Sequence, residues 1–265
     1  MFYNTPKIMR KIKSACLYAF NVLENNGTAN FYKNGESTTI ENIFRYFSIN
    51  ASGSYVIFDI GANNGHYTEL LIDKATEKKL HIIVHLFEPT HNCFNEVDRK
   101  FISSNIIKNN FGVSNNDTEA LIYFDKENSE FASLYKRELE NSGIVFSKSE
   151  QIKLKRLDSY IEKNKITHVN FIKIDIEGHE LHAFEGLGKY LNSEFIDFIQ
   201  FEYGGANLDS RTSLKDFYKL FLAKGFKIAK LMPKGLEVRA YLPYMENFNF
   251  SNYMAISENI LKRFV

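Results

Sequence analysis

The chain has 265 residues, of which 44% are hydrophobic, so it is long enough for one large domain or two small ones around a sizeable core. Its 33 basic and 32 acidic residues give a formal net charge of +1, which excludes a global charge bias toward nucleic acid or anionic membranes. Cys16 and Cys93 stand far apart without a CxxC pair, so neither a zinc quartet nor a disulfide framework is expected, and a reducing, cytoplasmic compartment is the default.

The first predicted element is an amphipathic helix between residues 5 and 27. Its polar side carries Lys7, Arg10 and Lys11, and its apolar stripe comprises Ile8, Ile12, Ala15, Cys16, Ala19, Phe20 and Leu23. We expect residues 1–50 to form an N-terminal helical extension or cap, with this helix packed on the domain or on a second copy in a homodimer. A basic amphipathic helix also leaves a peripheral membrane contact open. No signal peptide and no run of roughly 18 apolar residues is present, so we expect a soluble protein.

From residue 55 onward, short apolar runs alternate with longer amphipathic segments, which is typical of strand–helix units on a parallel sheet. The predicted core strands are SYVIFDI, HIIVHLFEP, IIKNNFGVS, VNFIKIDI and EFIDFIQFEY, and the predicted closing strands are FKIAKLM, GLEVRAYL and NYMAIS. NNDTEALIYF predicts a turn followed by an antiparallel strand, whereas residues 125–150 are polar and weakly periodic. The pattern predicts one α/β domain over residues 51–265.

Acidic residues recur where the predicted strands end. These residues are Asp59, Glu88, Asp175 and Glu202. A carboxylate at the end of a buried strand costs free energy unless it is hydrogen-bonded or faces a ligand. Because ligands of open α/β sheets bind beyond the carboxyl ends of the strands, the four carboxylates predict a polar pocket at that edge of the sheet.

The loop DIGANNG follows the first predicted strand. Gly61 and Gly65 permit tight turning, but Asn63 stands where the dinucleotide fingerprint GxGxxG has its middle glycine. Asp59, two positions before the first glycine, suits a cationic ligand better than two phosphates. S-Adenosylmethionine carries an ammonium and a sulfonium, and backbone N–H groups suit its carboxylate. Glu88 follows at the spacing of the acid that binds ribose hydroxyls in such folds.

Between about residues 55 and 256 the chain resembles the FkbM-type methyltransferases. The resemblance rests, in chain order, on FDIGANNGHYT, LFEPTHNCF, GVSNND, ASL, LKRLDSYI, FIKIDIEGHELHAFEGL and FEY. It implies a Rossmann-like class I methyltransferase fold, with a mostly parallel seven-stranded sheet, an antiparallel closing strand and helices on both faces. It also implies O-methylation of a sugar, glycan or secondary-metabolite hydroxyl, with S-adenosylmethionine converted to S-adenosylhomocysteine. The implied cofactor residues are Asp59, Gly61, Asn63 and Gly65 in the loop, Glu88 for the ribose, and Ser114 and Asn115 near the adenine.

A hydroxyl acceptor loses its proton during methyl transfer, so the site needs a base or a cation that stabilises the alkoxide. Asp175, at the end of the fourth core strand, is the first candidate base, and His179 is the second. Asp175, Glu177 and Glu202 would alternatively hold a divalent cation through their carboxylates. Metal-free catalysis is favoured, because DIEGHE lacks the HExxH zinc spacing and no cysteine accompanies it.

Two other functions stay open at this point. One is an NAD-dependent sugar oxidoreductase, which the missing GxGxxG disfavours, and the other is a non-catalytic cofactor-binding module. Lys173 lies in an apolar strand and is interpreted as the partner of a nearby carboxylate. Ser133 and Tyr135 lie in the segment 125–150, which we expect to cover the acceptor. No pattern in that segment identifies the acceptor, and no nucleic-acid partner is expected.

Overall fold

The computed structural model describes residues 4–50, 53–139 and 142–263. Residue 51, the predicted domain boundary, and residues 140 and 141 of the polar segment lie outside these ranges. The strands in these ranges are β1 (Ser54–Ile60), β2 (His81–Phe87), β3 (Ile106–Asn109), β4 (Gly112–Val113), β5 (Thr118–Phe124), β6 (Lys148–Lys155), β7 (Val169–Ile174), β8 (Ile196–Tyr203), β9 (Phe226–Met232), β10 (Gly235–Val238) and β11 (Ser251–Ser257). The α-helices are α1 (Lys7–Leu23), α2 (Glu36–Ile49), α3 (His66–Lys78), α4 (His91–Lys100), α5 (Leu157–Lys163), α6 (Glu180–Glu185), α7 (Gly205–Ser210), α8 (Leu214–Ala223) and α9 (Glu258–Leu261).

Eight of the described strands form the main sheet, in the order β10-β9-β11-β8-β7-β1-β2-β3. Strands β3, β2, β1, β7 and β8 are parallel neighbours, and β11 runs antiparallel between β8 and β9. This confirms the predicted mostly parallel sheet with an antiparallel closing strand. The implied count of seven strands omits β10, a short edge strand that pairs antiparallel with β9.

The third predicted core strand divides between two sheets. Its first part is β3, but β4 pairs with β6 in a separate three-stranded sheet, ordered β4-β6-β5. The side-chain amides of Asn109 and Asn110 donate to the carbonyl oxygens of Leu86 and Glu88, both at 3.0 Å, where the chain turns away from β2. The predicted antiparallel strand exists as β5, but it pairs with β6 instead of extending the main sheet.

Glycines and caps fix the ends of two predicted helices. Ser213 and Asp216 form a capping box at the start of α8, and Gly225, with φ of +82°, follows its end as predicted. The predicted helix after β7 is shorter than expected, because α6 ends before Gly186. A Cβ at Gly186 would lie 2.1 Å from the carbonyl oxygen of Ser114, so the backbone after α6 lies directly against the backbone after β4.

Apolar side chains cover both faces of the main sheet. Residues of α2, α3 and α4 pack on one face, and residues of α5, α6 and α8 pack on the other. Phe44 and Phe47 of α2 are fully buried, and each such burial contributes roughly 1.5–3 kcal/mol. Helix α2, in the predicted N-terminal extension, therefore contributes to the domain core.

Helix α1 departs from the expected packing. No residue of α1 is buried, although its sequence has a continuous apolar stripe. The expected packing of this stripe on the domain is therefore not observed. In the described ranges, no helix is long and apolar enough to cross a membrane.

Candidate functional site

A cavity of about 560 Å³ opens at the carboxyl ends of β1, β2, β7 and β8. Its volume lies within the roughly 300–1,000 Å³ typical of small-molecule sites. The loop after β1, the end of β2, the loop after β7 and residues 126–137 of the polar segment contribute to its wall. Ala29, Phe31 and Glu36 add a side from the N-terminal part of the chain. The structure thus forms a pocket at the edge of the sheet where the sequence predicts one.

The loop after β1 is bound tightly to its neighbours. Gly61 has φ of +79°, and a Cβ there would lie 1.9 Å from the backbone oxygen of Asp175. Gly65 has φ of +78°, and its Cβ would lie 2.5 Å from the ring of Phe101. Asn63 also has a positive φ, +48°, and lines the cavity. Both predicted glycines therefore serve a positive φ and a close contact that a side chain would prevent.

Glu88 is held at the cavity wall by three donors. Its Oε2 accepts the backbone N–H of Asn63 at 2.9 Å, and its Oε1 accepts the backbone N–H and the hydroxyl of Thr90 at 2.9 and 2.6 Å. Only 5% of the residue is exposed, and this burial raises the pKa of Glu88 to about 7. The hydrogen bonds oppose that shift and fix the carboxylate toward the cavity.

Asp59 is fully buried and does not line the cavity, although the sequence predicts a cofactor residue there. Its Oδ2 accepts the hydroxyl of Thr68, whereas its Oδ1 has no hydrogen-bond partner among the residues that the structure describes. Burial raises the pKa of Asp59, and the nearby ammonium of Lys173 opposes this. A buried carboxylate oxygen without a donor costs free energy until a further donor reaches it.

Ser114 and Asn115 do not lie where the sequence places them. Neither lines the cavity, whereas Val113 does. Successive side chains of an extended segment point in opposite directions, so Ser114 faces away from the cavity. Its hydroxyl lies 2.9 Å from Nε2 of His179, and the amide of Asn115 donates to Glu185 at 2.8 Å. The predicted adenine contact therefore does not match the placement of these two side chains.

All four predicted catalytic residues, Asp175, Glu177, His179 and Glu202, line the cavity. Oδ2 of Asp175 accepts Nζ of Lys173 at 2.9 Å, so the interpretation of Lys173 as the partner of a carboxylate is confirmed. The Glu202 side chain, in contrast, has no hydrogen bond or ion pair within the described ranges. Burial and the neighbouring Asp175 raise the pKa of Glu202 well above its usual value. Once it is ionised, the Glu202 carboxylate is therefore a stronger base than an ordinary exposed glutamate.

Arg137 pairs with Glu177 and holds the carboxylate of that residue in place. Its Nη1 donates to Oε2 of Glu177 at 2.6 Å, and its Nε donates to Asp209 at 2.9 Å. Burial, followed by the charge of Asp175, raises the pKa of Glu177 to about 8, and Arg137 opposes the shift. Arg137 is not among the residues that the sequence predicts, because one arginine in a polar, weakly periodic segment carries no distinguishing spacing.

His179 is fixed at both ring nitrogens. Nε2 pairs with the Ser114 hydroxyl and Nδ1 lies 3.1 Å from the Tyr135 hydroxyl. Burial, followed by the adjacent His182 ring, lowers the pKa of His179 to about 4. The ring is therefore neutral at physiological pH and has no free nitrogen, so this geometry does not support the predicted general-base role.

Residues 126–137 of the polar segment form part of the cavity wall, and Ser133 ties this stretch to the loop after β7. Ser133 is buried, and its hydroxyl donates to the backbone oxygen of Glu177 at 2.7 Å. From the opposite side, Glu36 accepts from the amide of Gln200 at 2.7 Å. Glu36 lies far from the motifs and is not among the residues that the sequence predicts for the site.

The cavity wall is strongly acidic. Its described lining includes three lysine or arginine side chains, Lys126, Arg137 and Lys173, and eight carboxylates, Glu36, Glu88, Glu127, Glu130, Glu150, Asp175, Glu177 and Glu202. In the part of the chain that the structure describes, no group of three or more His, Cys, Asp or Glu side chains is arranged to hold a metal ion.

The family model described as the methyltransferase FkbM domain matches residues 59–246. A methyltransferase FkbM from Methylobacillus flagellatus KT is structurally similar, with 18% identity, a TM-score of 0.45, and coverage of 82% of this chain and 48% of that chain. The chain thus spans about half the length of that relative.

Two further solved structures are similar at low identity. The plantazolicin methyltransferase BamL, solved with a triazolic desmethylPZN analog and SAH, has 9% identity and a TM-score of 0.48, covering 93% of this chain and 91% of that chain. The 1,6-didemethyltoxoflavin-N1-methyltransferase of Burkholderia thailandensis, solved with 1,6-didemethyltoxoflavin and S-adenosylhomocysteine, has 8% identity and a TM-score of 0.39, covering 97% and 92%. No curated protein is significantly similar to the chain in sequence.

Proposed function

The chain belongs to the FkbM methyltransferase family, and on this basis we propose that it is an S-adenosylmethionine-dependent O-methyltransferase acting on a hydroxyl of a sugar, glycan or secondary metabolite. Its main sheet has the mostly parallel order, with an antiparallel strand between β8 and β9, of the class I methyltransferase fold. The observation that carries the proposal is the cavity beyond the strand ends, whose carboxyl groups outnumber its cations and suit the ammonium and sulfonium of S-adenosylmethionine better than the diphosphate of a dinucleotide.

The residues present fit S-adenosylmethionine. The fixed carboxylate of Glu88 has capacity to accept hydroxyl groups of a ribose. When bound, S-adenosylmethionine supplies an electrophilic methyl group on a positively charged sulfur.

The carboxylates at the ends of β7 and β8 are suited to accept the acceptor's proton. Oδ2 of Asp175 is already engaged in an ion pair with Nζ of Lys173 at 2.9 Å. The Glu202 side chain has no such partner within the described ranges, and burial raises its pKa, so it is a strong base when ionised. We therefore assign proton abstraction to Glu202, and we assign orientation of the hydroxyl to Asp175.

Calorimetric titration tests the cofactor assignment. The purified protein would be titrated separately with S-adenosylmethionine, S-adenosylhomocysteine and NAD. We expect saturable one-site binding of the first two and no heat of binding with NAD, because the acidic wall repels its diphosphate. If the protein bound NAD but neither S-adenosylmethionine nor S-adenosylhomocysteine, the result would contradict the proposal.

The acceptor class has a separate test. The protein would be incubated with methyl-labelled S-adenosylmethionine and an extract of the source cell, and the labelled product would be identified by mass spectrometry. We expect a methyl ether on a sugar-containing or secondary-metabolite product. A methylated amine or carbon would contradict O-methylation while leaving the cofactor assignment intact.

The pH dependence of cofactor binding tests the role of Glu88. A ribose hydroxyl donates best to the ionised carboxylate, and Glu88 has a pKa raised to about 7 by burial. Affinity for S-adenosylhomocysteine should therefore be highest above pH 7 and fall as the pH drops through that value, with proton release on binding below it. Calorimetry between pH 6 and 8 in buffers of different ionisation enthalpy measures both effects.

Glu88→Gln should weaken binding and remove this pH dependence in that range. Glu119→Gln, an exposed carboxylate on β5 that does not line the cavity, is the matched control and should behave as wild type. If Glu88→Gln retained the wild-type pH profile, Glu88 would not be the group that titrates on binding.

A further inference from the structure

Helix α1 presents an exposed apolar stripe that its own domain does not cover. Ile8, Ile12 and Leu23 are 66%, 50% and 75% exposed. At about 100° per residue, these three side chains lie within roughly 60° of one another around the helix. The stripe continues through Ala15, Cys16, Ala19 and Val22, all of which are exposed.

The contacts of α1 with the domain lie at one border of the stripe, through Phe20, and on the side opposite to it. The Phe20 ring meets the edge of the Tyr244 ring at 6.0 Å between centroids, and the Asn21 side chain pairs with the amide of Asn26 at 3.2 Å. Phe20 and Asn21 lie roughly a quarter turn and a half turn from the centre of the stripe. The domain therefore fixes the helix and leaves its apolar stripe facing outward.

The charges of α1 all have one sign. The helix carries Lys7, Arg10, Lys11 and Lys13 and no acidic residue. These four belong to the 33 basic residues of the chain, so 29 basic residues face 32 acidic ones in the rest of it. Lys11 and Lys13 border the stripe on its two sides, where their ammonium groups would reach past an inserted apolar face toward lipid phosphates.

We propose that α1 docks this protein on an anionic lipid bilayer, with its apolar stripe in the boundary between headgroups and acyl chains. Positive charge beside an apolar stripe complements an anionic surface, since each basic residue near such a surface adds about 1 kcal/mol of attraction. A second copy of α1 would fit the stripe poorly. Two such helices would bring eight cations together, and α1 offers no carboxylate to pair with them.

The attachment of α1 transmits this docking to the cavity-bearing domain. Glu24, directly after the helix, accepts Nη1 of Arg239 at 2.5 Å and lies 3.6 Å from Nζ of Lys230. Gly27 then donates to the backbone oxygen of Phe250 at 2.8 Å, and the chain continues to Ala29 at the cavity wall. A docked helix would thus hold the cavity close to the lipid surface. The proposal is independent of the reaction catalysed.

Vesicle co-sedimentation tests the docking. The full chain would be mixed with vesicles of phosphatidylcholine alone and of phosphatidylcholine with phosphatidylglycerol. We expect strong binding to the mixed vesicles, little to phosphatidylcholine alone, and weakening at raised salt because the attraction is screened. Lys7→Glu combined with Lys11→Glu should abolish binding to the mixed vesicles.

Two variants of the same helix separate the stripe from its charge. Ile12→Asp places a carboxylate in the stripe, and Leu17→Asp places the same group on the polar side, at positions that are 50% and 58% exposed. Ile12→Asp should weaken binding to mixed vesicles about 10- to 100-fold, from the loss of one inserted aliphatic side chain. Leu17→Asp, which adds the same charge without removing an inserted side chain, should weaken binding by no more than about fivefold. Unchanged circular dichroism and S-adenosylhomocysteine binding would show that both variants are folded.

Three outcomes would overturn the proposal. The first is no sedimentation with either vesicle type. The second is equal weakening by Ile12→Asp and Leu17→Asp, which would mean that charge alone acts. The third is a dimer in analytical ultracentrifugation that Ile12→Asp dissociates, without vesicle binding, which would assign the stripe to a second copy of the chain.

Discussion

Glu202→Gln is expected to lower the rate of methyl transfer by about 10²–10⁴-fold, the range typical of losing a general base. The amide keeps the shape of the side chain but cannot take the hydroxyl proton. Because Glu202 has no partner within the described ranges, the substitution should break no hydrogen bond and leave S-adenosylhomocysteine affinity within about twofold of wild type. Transfer of labelled methyl groups to the active fraction of a source-cell extract measures the rate, and calorimetry measures the affinity.

The pH profile gives this prediction a second readout. A base acts in its deprotonated form, so kcat/KM of the wild type should fall as the pH drops through the pKa of Glu202, which burial and Asp175 raise above the usual value. Glu202→Gln should remove that limb of the profile. Glu202→Asp, which keeps a carboxylate, should retain the limb with a reduced rate.

Asp175→Asn distinguishes the two carboxylates. It would remove the partner of Lys173, whose ammonium would then face the buried Asp59 and Glu36 without its closest counter-charge. If Asp175→Asn abolished transfer and the pH limb while Glu202→Gln left both unchanged, the base would be Asp175, the first candidate from the sequence.

Residues whose role depends on local backbone geometry could be predicted from the sequence. Gly61 and Gly65 stand out because a glycine after a buried strand indicates a turn, and the structure gives both a positive φ and a close contact. Glu88 and Asp175 stand out because a carboxylate at a strand end needs a partner. The parallel order of the sheet follows from the alternation of apolar runs and amphipathic helices.

Residues whose role depends on distant contacts could not be predicted in this way. Arg137 reaches Glu177 across 40 positions, and Glu36 reaches Gln200 across 164. Neither has a periodic or motif context. For Ser114, the sequence identifies the loop after the third predicted strand but not the side to which each residue points, because a shift of one residue reverses that side.

Gly61→Ala is expected to destabilise the protein by about 3–5 kcal/mol and to abolish S-adenosylhomocysteine binding. A Cβ at this position would lie 1.9 Å from the backbone oxygen of Asp175 and 2.9 Å from Cγ2 of Ile176. Backbone cannot rotate out of the way as a side chain can, so the loops after β1 and β7 must separate. Separation would displace both Asn63 and Asp175 at the cavity wall. Urea unfolding measures the free energy, and calorimetry measures the binding.

Gly27→Ala is the control that separates backbone strain from steric overlap. Gly27 has φ of +76°, close to the +79° of Gly61, but a Cβ there would meet no atom within 4 Å. Gly27→Ala should therefore lower the free energy of unfolding only by the backbone strain of an alanine with positive φ, about 1–2 kcal/mol. It should leave S-adenosylhomocysteine binding unchanged. Equal losses of stability in the two variants would show that the loops after β1 and β7 can move apart without cost. The close approach of Gly61 to Asp175 would then not be what shapes the cofactor side of the cavity.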